Sequence, residues 1–368
     1  TLVLRGTNTY TGVTNINAGQ LLMVPTANDG AVLGSTTAGN NTVVATGATL
    51  SLGPDAAGSG GIGNPAELIT INGDGFRKSG AIRNFMGANG NVLTGVVTMG
   101  GAARIQSEQT GGITLSAAFN MNNTLTAGGI GGVTLSGLVS GSSAINHYGL
   151  GLFRLSNATT ANTYSGTISS TLGEIRAQDG TTAFQPYGAV AALNLKNSWL
   201  RIGMGAGATA ANANSRFSTT APISMTASQI YLDNTNFNAN TGSQQTTAIA
   251  QALGAVTMND GLNRIGMRGA AAGGSITLTL ASLSKPNPGT SLEFVADNVT
   301  TGNFLGVTAM NRILNTALEG GPVVPFVGGW AYSNTEFVKY VPTTSAGFGY
   351  TPLVAADYVV DTAETGWT

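Results

Sequence analysis

The sequence predicts an all-β protein that folds as a parallel β-solenoid, in which short strands wind into coils and the coils stack. Three observations lead to this fold class. Helical periodicity is nearly absent from the 368 residues. Runs of about 4–6 residues rich in Val, Ile, Leu and Thr are separated by Gly and Asn, as is typical of short strands with tight turns. Short motifs also recur at spacings that share a unit of roughly 20–22 residues, the length of one coil.

Two pairs of repeated motifs set the length of the predicted coil. GGITLS begins at Gly111 and GGVTLS at Gly131, which we interpret as one coil. RIGM begins at Arg201 and again at Arg264, which we interpret as three coils. A coil of this size buries its apolar face only by stacking on neighbouring coils. The chain therefore predicts about 16 coils in a rod roughly 70–80 Å long.

The first stretch of the chain shows how each coil is expected to be built. Period-2 alternation places Ile16, Leu21 and Met23 on the core face. Gly12 and Gly19 are expected to turn corners, where a positive φ favours glycine. Asparagines near the corners could stack as amide ladders between coils.

A motif in the first stretch returns later in the chain. NTYTG begins at Asn8 and NTYSG at Asn162, a separation that we interpret as seven coils. We therefore predict a structural repeat that is marked by Asn8, Tyr10, Gly12, Ile16, Gly19, Leu21, Met23, Asn162, Tyr164 and Gly166.

Two stretches and the C-terminal part of the chain depart from this pattern. Thr246–Gly254 and Met310–Gly321 could each form a short helix that stops at glycine. The possible helices span 246–254 and 310–319. Residues 319–368 hold nine of the 24 aromatic residues of the chain. We therefore expect a β-helix over 1–318 and a distinct aromatic-rich element over 319–368 that continues, caps or docks onto the solenoid.

The composition favours some classes of partner and disfavours others. Charged residues make up only 8% of the chain and the net charge is −1, which argues against a nucleic-acid partner. No run of about 18 apolar residues exists, so we expect no membrane insertion by this segment. Cysteine is absent, which excludes disulfides and thiolate metal sites. A large cysteine-free chain rich in Gly, Thr and Asn is typical of an exported bacterial surface protein, and its opening inside a strand-like pattern suggests a piece of something longer.

Candidate catalytic groups are few. His147, the only histidine, could use Ser142 or Ser143 as a nucleophile, but a triad also needs a third orienting group, and a structural role is favoured. Asp74 lies between glycines in INGDGF, which is expected to be a turn. GMGAGA at Gly203–Ala208 lacks the ending of a phosphate-binding loop and is expected to be a corner.

Carboxylates are scattered along the chain. A glycosidase-like pair would need its carboxylates about 5–10 Å apart. Candidates are grouped in the sequence or could be brought together by stacking: Asp357, Asp361 and Glu364; Glu293 and Asp297; and Asp233 with Asp260. A structural reading of all of them is favoured, and we expect no catalytic residues, no cofactor and no metal.

Arginines and aromatic residues provide the remaining candidates for binding. Arg5, Arg154, Arg201 and Arg264 recur near strand ends and could form a weak basic stripe for an acidic polysaccharide; bonding to carbonyls of neighbouring coils is the favoured interpretation. Terminal aromatic residues could stack on sugar rings or pack a terminal core. Trp330 and Tyr332 are therefore candidate contacts for a glycan or a partner.

The repeated segments resemble a known family. LVLRGTNTYTGVTNINAGQLLM at Leu2–Met23 resembles the autotransporter-associated β-strand repeat almost position for position, and Gly151–Ala177 resembles a second, more diverged copy. The resemblance implies a right-handed parallel β-helix that is exported to the cell surface as a passenger or fibre. It implies no particular ligand.

These observations order three hypotheses for function. The first is a non-catalytic structural segment of a surface fibre, filament or coat, with itself as partner through end-to-end stacking or tandem modules. The second is an adhesin that binds glycan or a host surface. The third is a β-helix enzyme that acts on polysaccharide.

Overall fold

The computed structural model describes most of the chain. The described residues are 1–24, 32–35, 40–53, 63–64, 67–85, 90–156, 160–178, 186–203, 216–234, 248–268, 275–297, 311–315, 331–333, 336–342 and 348–352. In these ranges the regular structure is β, apart from one 3₁₀ turn at Phe76–Lys78. No helix in these ranges is long and apolar enough to cross a membrane.

The strands are short and follow one another closely. The first sixteen are β1 (Leu2–Arg5), β2 (Thr14–Ile16), β3 (Gly19–Val24), β4 (Asn41–Val44), β5 (Ala48–Leu52), β6 (Gly63–Asn64), β7 (Leu68–Gly73), β8 (Ile82–Asn84), β9 (Asn91–Leu93), β10 (Val97–Ser107), β11 (Ile113–Leu115), β12 (Phe119–Met121), β13 (Leu125–Gly129), β14 (Val133–Leu135), β15 (Val139–Gly141) and β16 (Ile145–Tyr148). The others are β17 (Leu152–Leu155), β18 (Thr167–Thr171), β19 (Glu174–Gln178), β20 (Ala192–Lys196), β21 (Trp199–Gly203), β22 (Ile223–Thr226), β23 (Gln229–Asp233), β24 (Ile249–Asp260), β25 (Leu262–Arg268), β26 (Ile276–Ser284), β27 (Ser291–Asp297), β28 (Asn311–Asn315), β29 (Ala331–Ser333), β30 (Glu336–Pro342) and β31 (Phe348–Pro352).

Parallel pairing sorts these strands into three sides. Side 1 runs β1, β3, β5, β8, the end of β10, β13, β16, β18, β20, β22 and the ends of β24 and β26. Side 2 runs β6, β9, β11, β14, β17, β19, β21, β23, β25, β27 and β29. Side 3 holds β2, β4, β7 and the start of β10, then the pair β12 and β15, and later the starts of β24 and β26 with β28. The predicted parallel β-helix is confirmed.

One core runs the length of the stack because equivalent residues lie above one another. On side 1 an aliphatic row aligns Leu125, Ile145, Ile168, Leu193 and Ile223 on five successive strands. All five side chains are buried, and they belong to a single apolar cluster. Each coil thus completes the core of its neighbours, as stacking of incomplete units requires.

Coil length varies more than the repeats predicted. Ile113 aligns with Val133, which matches the spacing of the GGITLS and GGVTLS motifs. Leu200 aligns with Ile230 and Ile230 with Ile265, so these two coils are clearly longer than the predicted unit. Because the coils are longer, a chain of this length forms fewer of them. Side 1 has twelve described strands, whereas about 16 coils were expected.

The two RIGM motifs lie two coils apart, and our interpretation of three coils was wrong. The first motif lies on β21 and the second on β25, and both strands pair with β23. Arg201 aligns with Tyr231 of β23, whereas Arg264 aligns with Gln229, which is two residues earlier on β23. The motifs are therefore also out of register by two residues. An even shift keeps the same side chains on the core face, so the motif tolerates it.

The two copies of the NTY motif are not separated by seven coils, so that interpretation was also wrong. The strand that follows Asn8 is β2 on side 3, whereas the strand that follows Asn162 is β18 on side 1. On side 1, six pairing steps lead from β3 to β18. The motif therefore recurs as a local unit that can occupy different sides of the coil.

The two predicted short helices are wrong where the structure describes them. Residues from Ile249 onward form β24, and Asn311–Asn315 form β28. Burial alternates along Ile249, Gln251 and Leu253, with a period of 2. Pairing of Ile249–Leu253 with β26 satisfies the backbone, so the tertiary context overrides a weak helical pattern.

The last described strands change direction. β29 continues the parallel stack on β27, whereas β30 pairs antiparallel with β29 and β31, and β31 pairs antiparallel with β28. This change falls inside the predicted element at 319–368. The boundary itself lies outside the described residues and stays a prediction.

Candidate functional site

The two copies of the repeated motif make the same bond between coils. The Asn8 side chain donates to the Val32 carbonyl oxygen at 2.8 Å, 24 residues further on. The Asn162 side chain donates to the Pro186 carbonyl oxygen at 3.2 Å, also 24 residues further on. Asn162 Oδ1 additionally accepts the Val139 backbone N–H at 2.8 Å from the preceding coil. The asparagine of the motif therefore ties each coil to the next.

The tyrosine and glycine of the motif differ between the copies. Tyr164 is 1% exposed, and its hydroxyl donates to the Ser143 carbonyl oxygen of the preceding coil at 2.9 Å. Tyr10 is 37% exposed, and its hydroxyl bonds to Thr14 Oγ1 within its own coil. A Cβ on Gly166 would clash with the Tyr164 hydroxyl and lie 2.5 Å from the Ser143 carbonyl oxygen.

The other motif residues lie mostly where the alternation places them. Ile16, Leu21 and Met23 are buried in the core. Gly19 adopts a φ of 71° at the start of β3, which suits glycine at a corner. A Cβ on Gly12 would meet nothing within 4 Å. Gly12 is therefore not held by steric contact inside the described structure.

A row of three arginines lies on the outer surface of side 2. Arg154, Arg176 and Arg201 align residue for residue on β17, β19 and β21, and we call them the arginine row. Arg264 lies on the same side but two residues out of line with this row. Arg5 ends β1 on side 1, so it belongs to a different surface. The structure thus brings Arg154 and Arg201 together with Arg176, which the sequence reading missed.

Carboxylates compensate part of this charge. Arg176 contacts both oxygens of Glu174, at 2.6 and 3.1 Å. Two Arg201 nitrogens contact one oxygen of the buried Asp233 of the next coil, at 2.9 and 2.6 Å. Arg264 forms an ion pair through its Nε with Glu293 of the next coil. Arg176, Arg201 and Arg264 therefore bond to carboxylates, whereas bonds to carbonyls of neighbouring coils were favoured from the sequence.

The electrostatic environment of Arg154 differs from that of Arg176 and Arg201. Among the described residues it makes no ion pair, and its buried Nε has no hydrogen-bond partner. Burial, and next the charge of Arg176, lower the pKa of the Arg154 guanidinium from its ordinary value. Like charges in register on adjacent strands are destabilising, so this end of the row is electrostatically incomplete.

An aromatic pair lies beside the arginine row. Trp199 is 47% exposed and its ring lies 6.3 Å from that of Tyr231 on the next coil, tilted by 31°. The two rings, Arg201, Asp233 and Arg268 line a shallow pocket. In the sequence, the arginine row and the aromatic pair lie in strands such as EIRAQ, WLRIG and QIYLD. These strands can be aligned only when the coil lengths are known.

His147 is buried in the core and bonds to a serine other than the two expected from the sequence. It occupies an interior row between Ala127 and Ser170, and its Nδ1 bonds to Ser170 Oγ at 2.8 Å. Its partner is therefore Ser170 and not Ser142 or Ser143. Burial lowers the pKa of the His147 imidazole to about 4, an effect partly offset by the Gly151 backbone and by the Glu174 charge.

The candidate carboxylates Asp233 and Asp260 do not form a pair in the structure. Asp233 ends β23 whereas Asp260 aligns with Thr226, before β23 begins, so the two are separated by the length of a strand. Glu293 points outward to Arg264, and only the backbone of Asp297 is described. The described residues contain no group of three potential metal ligands.

The other candidates are turns or lie partly outside the described residues. Asp74 precedes the 3₁₀ turn and lies 3.5 Å from Arg104 Nε. Gly203 ends β21, and the rest of Gly203–Ala208 lies outside the described residues, as do Asp357, Asp361, Glu364 and Trp330. The backbone of Tyr332 aligns with Glu293 at the end of side 2.

The parallel stacking and the single core define a parallel β-helix protein. A scan against protein-family models, a search of curated proteins and a search of solved structures find no match. The fold class therefore rests on the strand pairing itself.

Proposed function

We propose that this chain is a segment of a non-catalytic extracellular fibre, filament or coat, in which solenoid coils are joined end to end. The observation that carries the proposal is the difference between the two motif copies. Tyr164 and Gly166 are matched to the Ser143 carbonyl oxygen of the coil beneath them. Tyr10 and Gly12 are the same residue types at the equivalent positions of the motif.

The surface around Tyr10 and Gly12 is therefore suited to receive a further coil of the same type. We call it the N-terminal face; it includes Leu2 and Val3, which are 65% and 41% exposed. β1 pairs with β3 on one edge, and an edge strand with apolar side chains is a template for further pairing. The added coil would come from preceding sequence of a longer chain or from another molecule.

The opposite end of the stack favours placing the junction at the N-terminal face. β28, β31, β30 and β29 are linked by antiparallel pairs in that order, which occupies the edges of β28 and β29 that would otherwise receive parallel strands. The proposed assembly is therefore directional, because the two ends of the stack present different surfaces.

Membership of the autotransporter-associated repeat family and location at a bacterial cell surface are part of this proposal. Their support is the motif at Asn8 and Asn162, which makes the same inter-coil bond in both copies. The surface rich in Ser, Thr and Asn, with few charges, is in keeping with an exported rod. An adhesin is the alternative; a polysaccharide-acting enzyme ranks below it because the described carboxylates on side 2 pair with arginines.

Electron microscopy of the natural full-length protein tests the proposal. Native material should contain rods much longer than the roughly 60 Å that about 13 stacked levels span. Gly12→Ala should place a methyl group at the junction, and we expect shorter or broken rods while the melting temperature of the isolated chain stays unchanged. Dispersed particles of single-chain length in all native samples would refute the proposal.

Two glycine variants control this experiment. Gly289→Ala faces only Asp260 Oδ1 at 3.6 Å, away from the N-terminal face, and should leave rod length unchanged. Gly166→Ala reproduces the methyl group against a coil that is present, so it should destabilise the chain itself by about 1–3 kcal/mol. If Gly12→Ala behaved like Gly289→Ala in rod length, the N-terminal face would not be the junction.

A further inference from the structure

The outer surface of side 2 differs in charge from the chain as a whole. Between β17 and β27 its strands carry five arginines, namely Arg154, Arg176, Arg201, Arg264 and Arg268, and four acidic residues, namely Glu174, Asp233, Glu293 and Asp297. The surface is therefore cationic in a chain whose net charge is −1. Earlier strands of the same side present Thr114 and Thr134 at the position of the arginine row. The charge is thus concentrated on a few coils.

The arginine row is arranged for an extended anion. Its three arginines lie on successive strands, which are about 4.8 Å apart along the solenoid axis. Carboxylates of the chain engage Arg176 and Arg201, whereas the described residues offer no carboxylate to Arg154. An external anionic group at Arg154 would offset the repulsion from Arg176, and a guanidinium binds carboxylate or sulfate with two parallel hydrogen bonds.

The aromatic pair points to the kind of chain that carries the anion. The exposed ring of Trp199 lies beside the ring of Tyr231. Trp199 comes two residues before Arg201 on β21, so the two residues are on the same face of the strand. The apolar face of a sugar ring can pack on such a ring while its hydroxyls bond to a polar group at the rim, here the exposed Arg268.

We propose that side 2 binds an acidic polysaccharide that runs along the solenoid axis, with anionic groups on the arginine row and a sugar ring on Trp199. The excess of one positive charge on these strands is small for a nucleic acid, whose binding relies on many phosphate contacts. This site does not depend on end-to-end assembly and goes beyond the structural role proposed above.

Titration of the purified chain with defined polymers tests the site. The probes are polygalacturonate for carboxylates, dextran sulfate for sulfates, neutral dextran of similar length, and single-stranded DNA. We expect saturable binding to one or both acidic polysaccharides, weaker binding at higher salt, and little binding to dextran. Binding to carboxylate or sulfate polymer alone would identify the anion; equal binding to dextran or to DNA, or no binding, would overturn the proposal.

Variants locate the site on the molecule. Arg154→Gln and Trp199→Ala should each lower the affinity by roughly tenfold, as expected for one charge-assisted bond or one stacked ring. Phe76→Ala and Arg77→Gln are matched controls, because Phe76 is a partly exposed ring with an arginine over its face, on another part of the surface. They should bind like the parent chain.

Thermal melts separate binding from folding. Removing the Arg154 charge relieves its repulsion with Arg176, so Arg154→Gln should melt no lower than the parent while it loses affinity. Unchanged affinity in both Arg154→Gln and Trp199→Ala, or an equal loss in the Phe76 and Arg77 controls, would refute the site.

Discussion

Single polar residues in the core are linked by a ladder of hydrogen bonds that follows one corner of the solenoid. His147 bonds to Ser170, and Ser170 Oγ bonds to Ser198 Oγ at 3.1 Å. The Ser198 backbone N–H donates to Ser228 Oγ, and the Ser228 N–H donates to Asn263 Oδ1. The sequence suggested that asparagine amides could form ladders, whereas this ladder is built mainly from serine. Composition alone does not show which small polar residue will lie above which, because that depends on register.

His147 should make the stability of the chain depend on pH. Its pKa is about 4 in the folded chain and 6.5 in the unfolded chain, so the unfolded state binds the proton more strongly. Stability is therefore complete above pH 6.5 and falls as the pH decreases towards 4. From this side chain alone we expect the free energy of unfolding to be about 2 kcal/mol lower at pH 5 than at pH 8. Urea unfolding at a series of pH values measures this.

His147→Gln supplies the comparison, because glutamine keeps a polar group that can bond to Ser170 but does not titrate. Carboxylates titrate equally in both proteins, so the difference between the two pH profiles isolates the histidine. The variant should show a shallower loss of stability between pH 6.5 and 4. Parallel profiles would mean that His147 is not buried in neutral form.

At the level of the element, the sequence predicted what repeats and missed what varies. Alternation of apolar residues, as in Leu21 and Met23, identified strands because one face is always buried. The spacing of Ile113 and Val133 identified the shortest coil. The arginine row was only half recognised, because its strands belong to coils of unequal length and no fixed period aligns them. Extra residues at corners cost little, so they leave no pattern in the sequence.

Deleting one whole coil should leave the fold intact. Removing residues 113–132 joins Gly112 to Val133, so β14 takes the place of β11 on β9 and β16 takes the place of β13 on β10. Core residues remain on the core face because each coil contacts only its neighbours. We expect an unchanged far-ultraviolet circular dichroism signal per residue and cooperative urea unfolding.

The matched control removes half of this segment, residues 123–132. This deletion takes away β13 and brings β14 to the wrong side of the coil, where its apolar face has no aligned partner. It should abolish cooperative unfolding. Equal behaviour of the two deletions would contradict the coil boundaries derived from strand register.

For the whole molecule, the two ends of the stack are built differently. The N-terminal face leaves one edge of β1 and the side chain of Leu2 exposed, whereas antiparallel strands follow β28 and β29 at the other end. In a solenoid, stability is roughly a sum of coil and interface contributions, so a coil with one neighbour opens more easily than a coil with two.

Amide hydrogen exchange should therefore show a gradient along the stack. In the isolated chain we expect the fastest exchange of paired strands in β1 and β2 and the slowest in β13, β16 and β18, which have partners on both edges and a complete core. In native rods the amides of β1 should become protected, while those of β16 should change little. Strong protection of β1 in the isolated chain would show that the N-terminal face needs no further coil. Fast exchange of β1 in native rods would place the junction elsewhere, so the same measurement tests the direction of assembly.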